Sequence, residues 1–127
     1  ESMISAQRAN AAWFEQDLRL APGMLCLERP RTLYNRFMYP IIFPSIVQRD
    51  QMATYLQSQG VGTSRPYEES IQGAGKHYGY EGNCPVTESV LKRTIIIPNY
   101  FILKARDLEH IARATNRGWA KAKGLDL

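Results

Sequence analysis

The chain has 127 residues and a formal charge of +4, with 44% hydrophobic and 22% charged residues. That length suits one compact domain, 1–127, and the composition excludes intrinsic disorder. No run of about 18 apolar residues occurs, so no helix is expected to cross a membrane, and no basic segment leads an apolar run as a secretion signal does.

The first helix is expected over Met3 to Ala21. Ala9, Ala12, Trp13, Gln16 and Leu20 fall at helical spacing, and Pro22-Gly23 stops the run. Arg29-Pro30-Arg31 punctuates a loop. Arg36 to Pro44 is aromatic and β-branched, the composition of a buried strand, and Pro40 inside it argues for an edge or a bulge. A short helix follows over Asp50 to Gln59, with Met52, Tyr55 and Leu56 inward and Gly60 as its stop.

Val61 to Ser64 has room for a short strand. Glu68 to Gly82 reads as a loop, with Gly73, Gly75, Gly79 and Gly82 among His77, Tyr78 and Tyr80. A loop of that length in a small domain points to function or disorder. Pro85 opens a helix to about Arg93, and Ile95-Ile96-Ile97 is a buried strand ended by Pro98. The last helix is expected from Ala105 to Ala122, with Leu108, Ile111, Ala112, Thr115 and Trp119 on one face. The fold class is therefore α+β: helices covering a small, mostly antiparallel sheet.

Charge is uneven. Residues 89–127 hold eight Lys or Arg against three Asp or Glu, whereas residues 1–88 hold eight against nine. Basic residues in a closing helix complement its dipole, so nucleic acid is not the expected partner. Cys26 and Cys84 are too few for a disulfide scaffold, which points to a reducing, cytoplasmic setting.

With His77 and His110, the cysteines show no spacing that closes a metal site. Cys84 sits at a helix start, but a half-buried thiol there is commoner than a nucleophile. Gly73-Ala74-Gly75-Lys76 lacks phosphate-loop spacing. The adjacent carboxylates Glu68 and Glu69 read as solvated. Arg65-Pro66-Tyr67 stands out. It lies between a strand and the glycine-rich stretch, and it offers a guanidinium fork for phosphate or carboxylate beside a phenol.

The order of motifs carries more. Gln7-Arg8-Ala9-Asn10-Ala11 precedes Arg49-Asp50 and Tyr55-Leu56. Gly60-Val61-Gly62-Thr63 and Arg65-Pro66-Tyr67 follow. Then come Tyr78-Gly79-Tyr80, Cys84-Pro85-Val86-Thr87-Glu88, Ile97-Pro98, and a helix with Asp107-Leu108. Over about residues 4–117 this resembles the C-terminal small domain of the DegT/DnrJ/EryC1/StrS family of pyridoxal-phosphate-dependent sugar aminotransferases. The family shows an R-D-x-L helix, a G-I-x-T strand, an H-Y or R-P-Y loop, a C-P-x-A-E helix start and an L-x-L-P strand. Thr87 replaces the usual alanine, and Arg65-Pro66 stands where many relatives carry His-Tyr.

The resemblance implies the small domain of a fold-type I enzyme. The complete enzyme would move an amino group from a donor such as glutamate to a nucleotide-linked keto-sugar. Arg65, Tyr67 and His77 would contact that substrate. The family's Schiff-base lysine lies in a large domain ahead of this segment. None of Lys76, Lys92, Lys104, Lys121 and Lys123 has the family's serine-rich lead. Pyridoxal phosphate is accordingly expected in the full-length enzyme, a homodimer, and neither cofactor nor catalytic residue in this segment, which alone would be monomeric. A sugar dehydratase of the same family and a free-standing, non-catalytic sugar-nucleotide-binding domain are the alternatives.

Overall fold

The first helix, α1 (Met3–Asp17), starts where Ser2 Oγ accepts the Ser5 N–H at 3.1 Å. The structure, a computed structural model, describes residues 2–124; the side chains of residues 68–72, the Glu68-Glu69 pair among them, lie outside it. The buried face of α1 is Asn10, Ala11 and Phe14, with Leu18 just beyond. The expected stripe was thus set off by about one position, or roughly 100° of rotation. Ala9, Ala12 and Gln16 are exposed, and Trp13 is only partly buried. Polar bonding causes the offset. Asn10 Nδ2 donates to the Tyr100 carbonyl at 3.0 Å, and Gln7 Nε2 to that of Asn99 at 3.2 Å. The helix also ends four residues early. Asn116 takes both loose ends of the backbone: its Nδ2 donates to the Asp17 carbonyl and its Oδ1 accepts the Arg19 N–H.

Strands β1 (Tyr39–Ile42) and β2 (Thr94–Ile97) pair antiparallel, Tyr39 opposite Ile97 and Ile42 opposite Thr94. Single bridges extend the sheet on each side, Leu25 to Ile41 and Ser64 to Ile96. β1 is shorter than the expected Arg36 to Pro44, and Pro40 is part of it. In the register that sets Leu25 opposite Ile41, Cys26 faces Pro40, whose nitrogen carries no proton. Arg36 Nη1 donates to the Cys26 carbonyl instead, at 2.7 Å.

Helix α2 (Ile46–Ser58) begins before the expected Asp50, because Ser45 Oγ caps it by accepting the Gln48 N–H. It closes as a Schellman turn: Gly60 N–H to Gln57, Val61 N–H to Leu56, and Gly60 at φ 76°. The expected loop over Glu68 to Gly82 is mostly helix, α3 (Glu68–Tyr78). Its glycines do not break it. Gly79 ends it in the left-handed region, and Gly75 lets the Tyr80 carbonyl fold back to within 3.3 Å of where a Cβ would stand. α3 packs on α4 (Pro85–Lys92).

The last helix, α5 (Ala105–Ala122), matches expectation, with Leu108, Ile111, Ala112, Thr115 and Trp119 buried. It packs on α1 and α2. These three helices cover the inner sheet face, where Phe14 meets Tyr39 and Phe43 meets Trp119, ring centres 5.1 and 5.8 Å apart. Among the described residues no helix is long and apolar enough to cross a membrane.

The α2–α5 crossing depends on Gly118. A Cβ there would lie 2.6 Å from Tyr55 Cδ1 and 3.0 Å from Met52 Sδ. Gly118→Ala is expected to lose about 1–3 kcal/mol through overpacking, more than the roughly 1 kcal/mol that alanine gains in a helix. Gly73→Ala, in open space, is expected to hold or raise stability. Chemical denaturation of both variants checks this; a Gly118→Ala protein as stable as the parent would contradict the close crossing.

Candidate functional site

The outer face of the sheet opens on a groove flanked by Val90 and Leu91 of α4. Residues alternate along β1, so Tyr39 and Ile41 point inward while Pro40 and Ile42 point outward; on β2 their partners Ile96 and Thr94 point outward. Pro40, Ile42 and Ile96 floor a groove of about 310 Å³, with Phe37, Tyr67 and Leu91 on its walls. Among the described residues, every one that lines the groove is uncharged. At Phe37, Met38 and Ile96 it runs into a second cavity of about 490 Å³, edged by Gly62, Thr63, Ser64 and Asn99. A third hollow of about 200 Å³ shares Tyr67 and Leu91 with the groove and reaches Tyr80, Cys84 and Glu88.

Tyr67 lines this system and Arg65 does not, although its chain neighbours Ser64 and Pro66 do. The chain leaves the Ser64 bridge, passes Arg65, and turns into α3 at Tyr67. Tyr67 holds a left-handed backbone, φ 55°, unusual for an aromatic residue, and its side chain is exposed. Arg65 Nη2 lies 3.0 Å from Asp50 Oδ1, and the buried Arg49 Nε is ion-paired to the same oxygen at 2.7 Å. The Arg49-Asp50 pair thus anchors Arg65 to α2. Both Arg65 and Asp50 are about half exposed, at 48%, so a ligand has access to the guanidinium. His77 is elsewhere. It is exposed in the last turn of α3, edge-on to Tyr78, and about 15 Å along the helix from Tyr67.

Tyr80 and Glu88, which the sequence shows only as members of two separate motifs, meet on the wall of the third hollow. The Tyr80 hydroxyl donates to Glu88 Oε1 at 2.5 Å and accepts the Cys84 N–H at 2.9 Å. The bond to Glu88 pushes the Tyr80 pKa up to about 12. Tyr80 therefore stays protonated throughout the neutral range and pins the start of α4. Cys84 is exposed at that helix start, beside Asn83.

The lysines do not fit a cofactor imine. Lys76, Lys92, Lys104, Lys121 and Lys123 are all exposed, none lines the groove or the hollows that join it, and Lys121 and Lys123 lie over the Tyr55 and Trp119 rings. No buried acid accompanies any of them among the described residues.

The sequence profile of the DegT/DnrJ/EryC1/StrS aminotransferase family matches residues 1–116. No curated protein matches the chain in sequence. Among solved structures, the sugar aminotransferase Spr1654 of Streptococcus pneumoniae, in its apo form, superposes with a TM-score of 0.79 at 15% identity. It covers 96% of this chain and 32% of its own. TlmJ, an aminotransferase of Streptoalloteichus hindustanus, gives 0.79 at 23% identity, over 95% of this chain and 33% of its own. A DegT DnrJ EryC1 StrS aminotransferase of Brucella abortus gives 0.70 at 24%, over 92% of this chain and 31% of its own. At these identities the likeness is one of fold. The chain spans about a third of the length of each.

The groove wall depends on Arg36. Its side chain is 5% exposed, ion-paired to Glu15 at 2.5 Å and stacked 4.6 Å from the Tyr34 ring. Arg36→Met keeps the bulk and removes the charge. Breaking such a pair costs about 3–5 kcal/mol, because Glu15 and the Cys26 carbonyl lose their partner. A thermal melt checks it: an Arg36→Met protein melting within a degree or two of the parent would show the pair to be dispensable.

Proposed function

Because this chain belongs to the DegT/DnrJ/EryC1/StrS aminotransferase family, we propose that it is the C-terminal small domain of a sugar aminotransferase and closes the active site over a nucleotide-linked keto-sugar. The observation that carries this reading is the groove on the outer sheet face, uncharged among the described residues, with Tyr67 on its wall and the anchored, half-exposed Arg65 two residues earlier in the chain. An apolar face suits a surface that shuts against the body of an enzyme and excludes water. Arg65 then meets a phosphate or carboxylate with a planar fork of donors. Tyr67 offers a ring for a base or sugar face and a hydroxyl for a hydrogen bond. His77, at the far end of α3, takes a more peripheral contact.

Pyridoxal phosphate supplies the electron sink for transamination in such enzymes, and its anchor belongs to the large domain. Spr1654, a structural neighbour, has been solved in pyridoxal phosphate and pyridoxamine phosphate forms. The contribution of this chain is binding and orientation. Its own groups move no proton on the cofactor. A homodimer is the proposed assembly of the complete enzyme, and the cytoplasm its proposed setting.

Measuring the two half-reactions of the complete enzyme separately tests this. A hydrogen bond to a charged partner is worth about 1.5–3 kcal/mol. Arg65→Ala is therefore expected to lower kcat/KM for the sugar nucleotide roughly ten- to hundred-fold. The half-reaction with the amino donor is expected to hold. Stability is expected to hold as well, since an exposed pair such as Arg65–Asp50 contributes about 0–1 kcal/mol. An unchanged sugar half-reaction removes Arg65 from the site. A parallel fall in both half-reactions, with a lowered melting temperature, makes its role structural.

A further inference from the structure

A second concavity, of about 380 Å³, lies where the end of α1 meets the last turns of α5, and it shares no lining residue with the groove. Four cations edge it: Arg19, Arg113, Arg117 and Lys123. Asp17 is its single acid among the described residues. Elsewhere five arginines are matched, while Arg29, Arg31 and Arg93 form no ion pair among the described residues. Arg8 pairs with Glu28, Arg36 with Glu15, Arg49 and Arg65 with Asp50, and Arg106 with Asp107. Arg19, Arg113 and Arg117 have no ion pair among the described residues.

The frame beneath these charges is rigid. Asn116, on α5 between Arg113 and Arg117, accepts the Arg19 N–H at 2.7 Å and donates to the Asp17 carbonyl at 3.0 Å. Trp119, on the wall of the concavity, is 2% exposed, and its indole N–H has no acceptor. Lys123 Nζ sits 5.6 Å over its ring.

A purely solvated helix face would spread such charges or alternate them with acids. Here three arginines without an ion pair and a lysine edge one hollow with a single carboxylate among the described residues. Guanidinium forks match phosphoryl oxygens two at a time. The local excess of positive charge calls for an anion of two or more charges, and the hollow has ample room for one of diphosphate size. We propose that this concavity is a binding site for a small, multiply charged phosphate anion of the diphosphate type, separate from the sugar groove and independent of the reading of that groove.

The test titrates the chain with inorganic pyrophosphate at fixed ionic strength, following backbone and indole N–H resonances. Saturable shifts are expected at Arg19, Asn116 and the Trp119 indole, with orthophosphate binding more weakly. Arg113→Gln with Arg117→Gln is expected to raise the apparent Kd by about tenfold or more, while the melting temperature holds because both side chains are exposed. Arg29→Gln with Arg31→Gln, which removes the same charge from a distant exposed loop, is expected to leave Kd unchanged. Non-saturable shifts spread over all basic surfaces would overturn the site. So would equal weakening in the two double variants, which marks a general charge effect.

Discussion

The burial of one guanidinium organises this molecule. Arg36 is charged, 96% buried, and held at φ 58°, a backbone conformation that disfavours side chains. Such a residue persists only where its surroundings over-determine it. Glu15 of α1 balances its charge, the Cys26 carbonyl takes a second donor, and Tyr34 covers its face. The Asn99 side chain in turn donates to the Arg36 carbonyl at 2.7 Å. Four stretches of chain, distant in sequence, are thereby fixed to one another. Desolvating the charge is costly, so any partial opening leaves an unmet ion in an apolar setting.

That hub explains the form of the candidate site. It holds the turn ahead of β1, and Phe37 and Met38 on that turn wall both the groove and its neighbouring cavity. A second charge cluster, buried Arg49 with Asp50 and Arg65, ties the segment just ahead of Tyr67 to α2. The groove itself shows only side chains without charge among the described residues. The charged surface of α5 lies on the opposite side of the layer of core residues. Such a division suits the proposed role, in which one face meets water and the other closes against the body of an enzyme. That agrees with a chain that matches about a third of each solved relative.

Periodic apolar patterns made much of this legible. α5 was readable residue by residue because its buried face is a regular stripe. The two strands were readable from β-branched runs, and the motif order identified the family. Tertiary polar bonding hid the rest. Asn10 and Gln7 turn α1 away from its apolar stripe, and Asn116 ends it early. α3 was hidden because glycines suggest a loop, whereas here Gly75 and Gly79 close the helix end. Arg65 and Tyr67 were visible as an unusual tripeptide. The anchoring of Arg65 by Asp50 was carried by a family motif whose purpose only the packing reveals. Tyr80 and Glu88 each stood in the motif order, but the bond between them joins two motifs across a turn and only the packing reveals it.

The central claim is that these residues are the substrate-facing small domain of an enzyme whose cofactor is anchored outside them. Borohydride reduction of the native, full-length polypeptide, followed by peptide mapping of the pyridoxyl label, tests it directly. The account expects one labelled lysine, outside these 127 residues. A label on Lys76, Lys92, Lys104, Lys121 or Lys123, or no label on a polypeptide that ends with this domain alone, would contradict it.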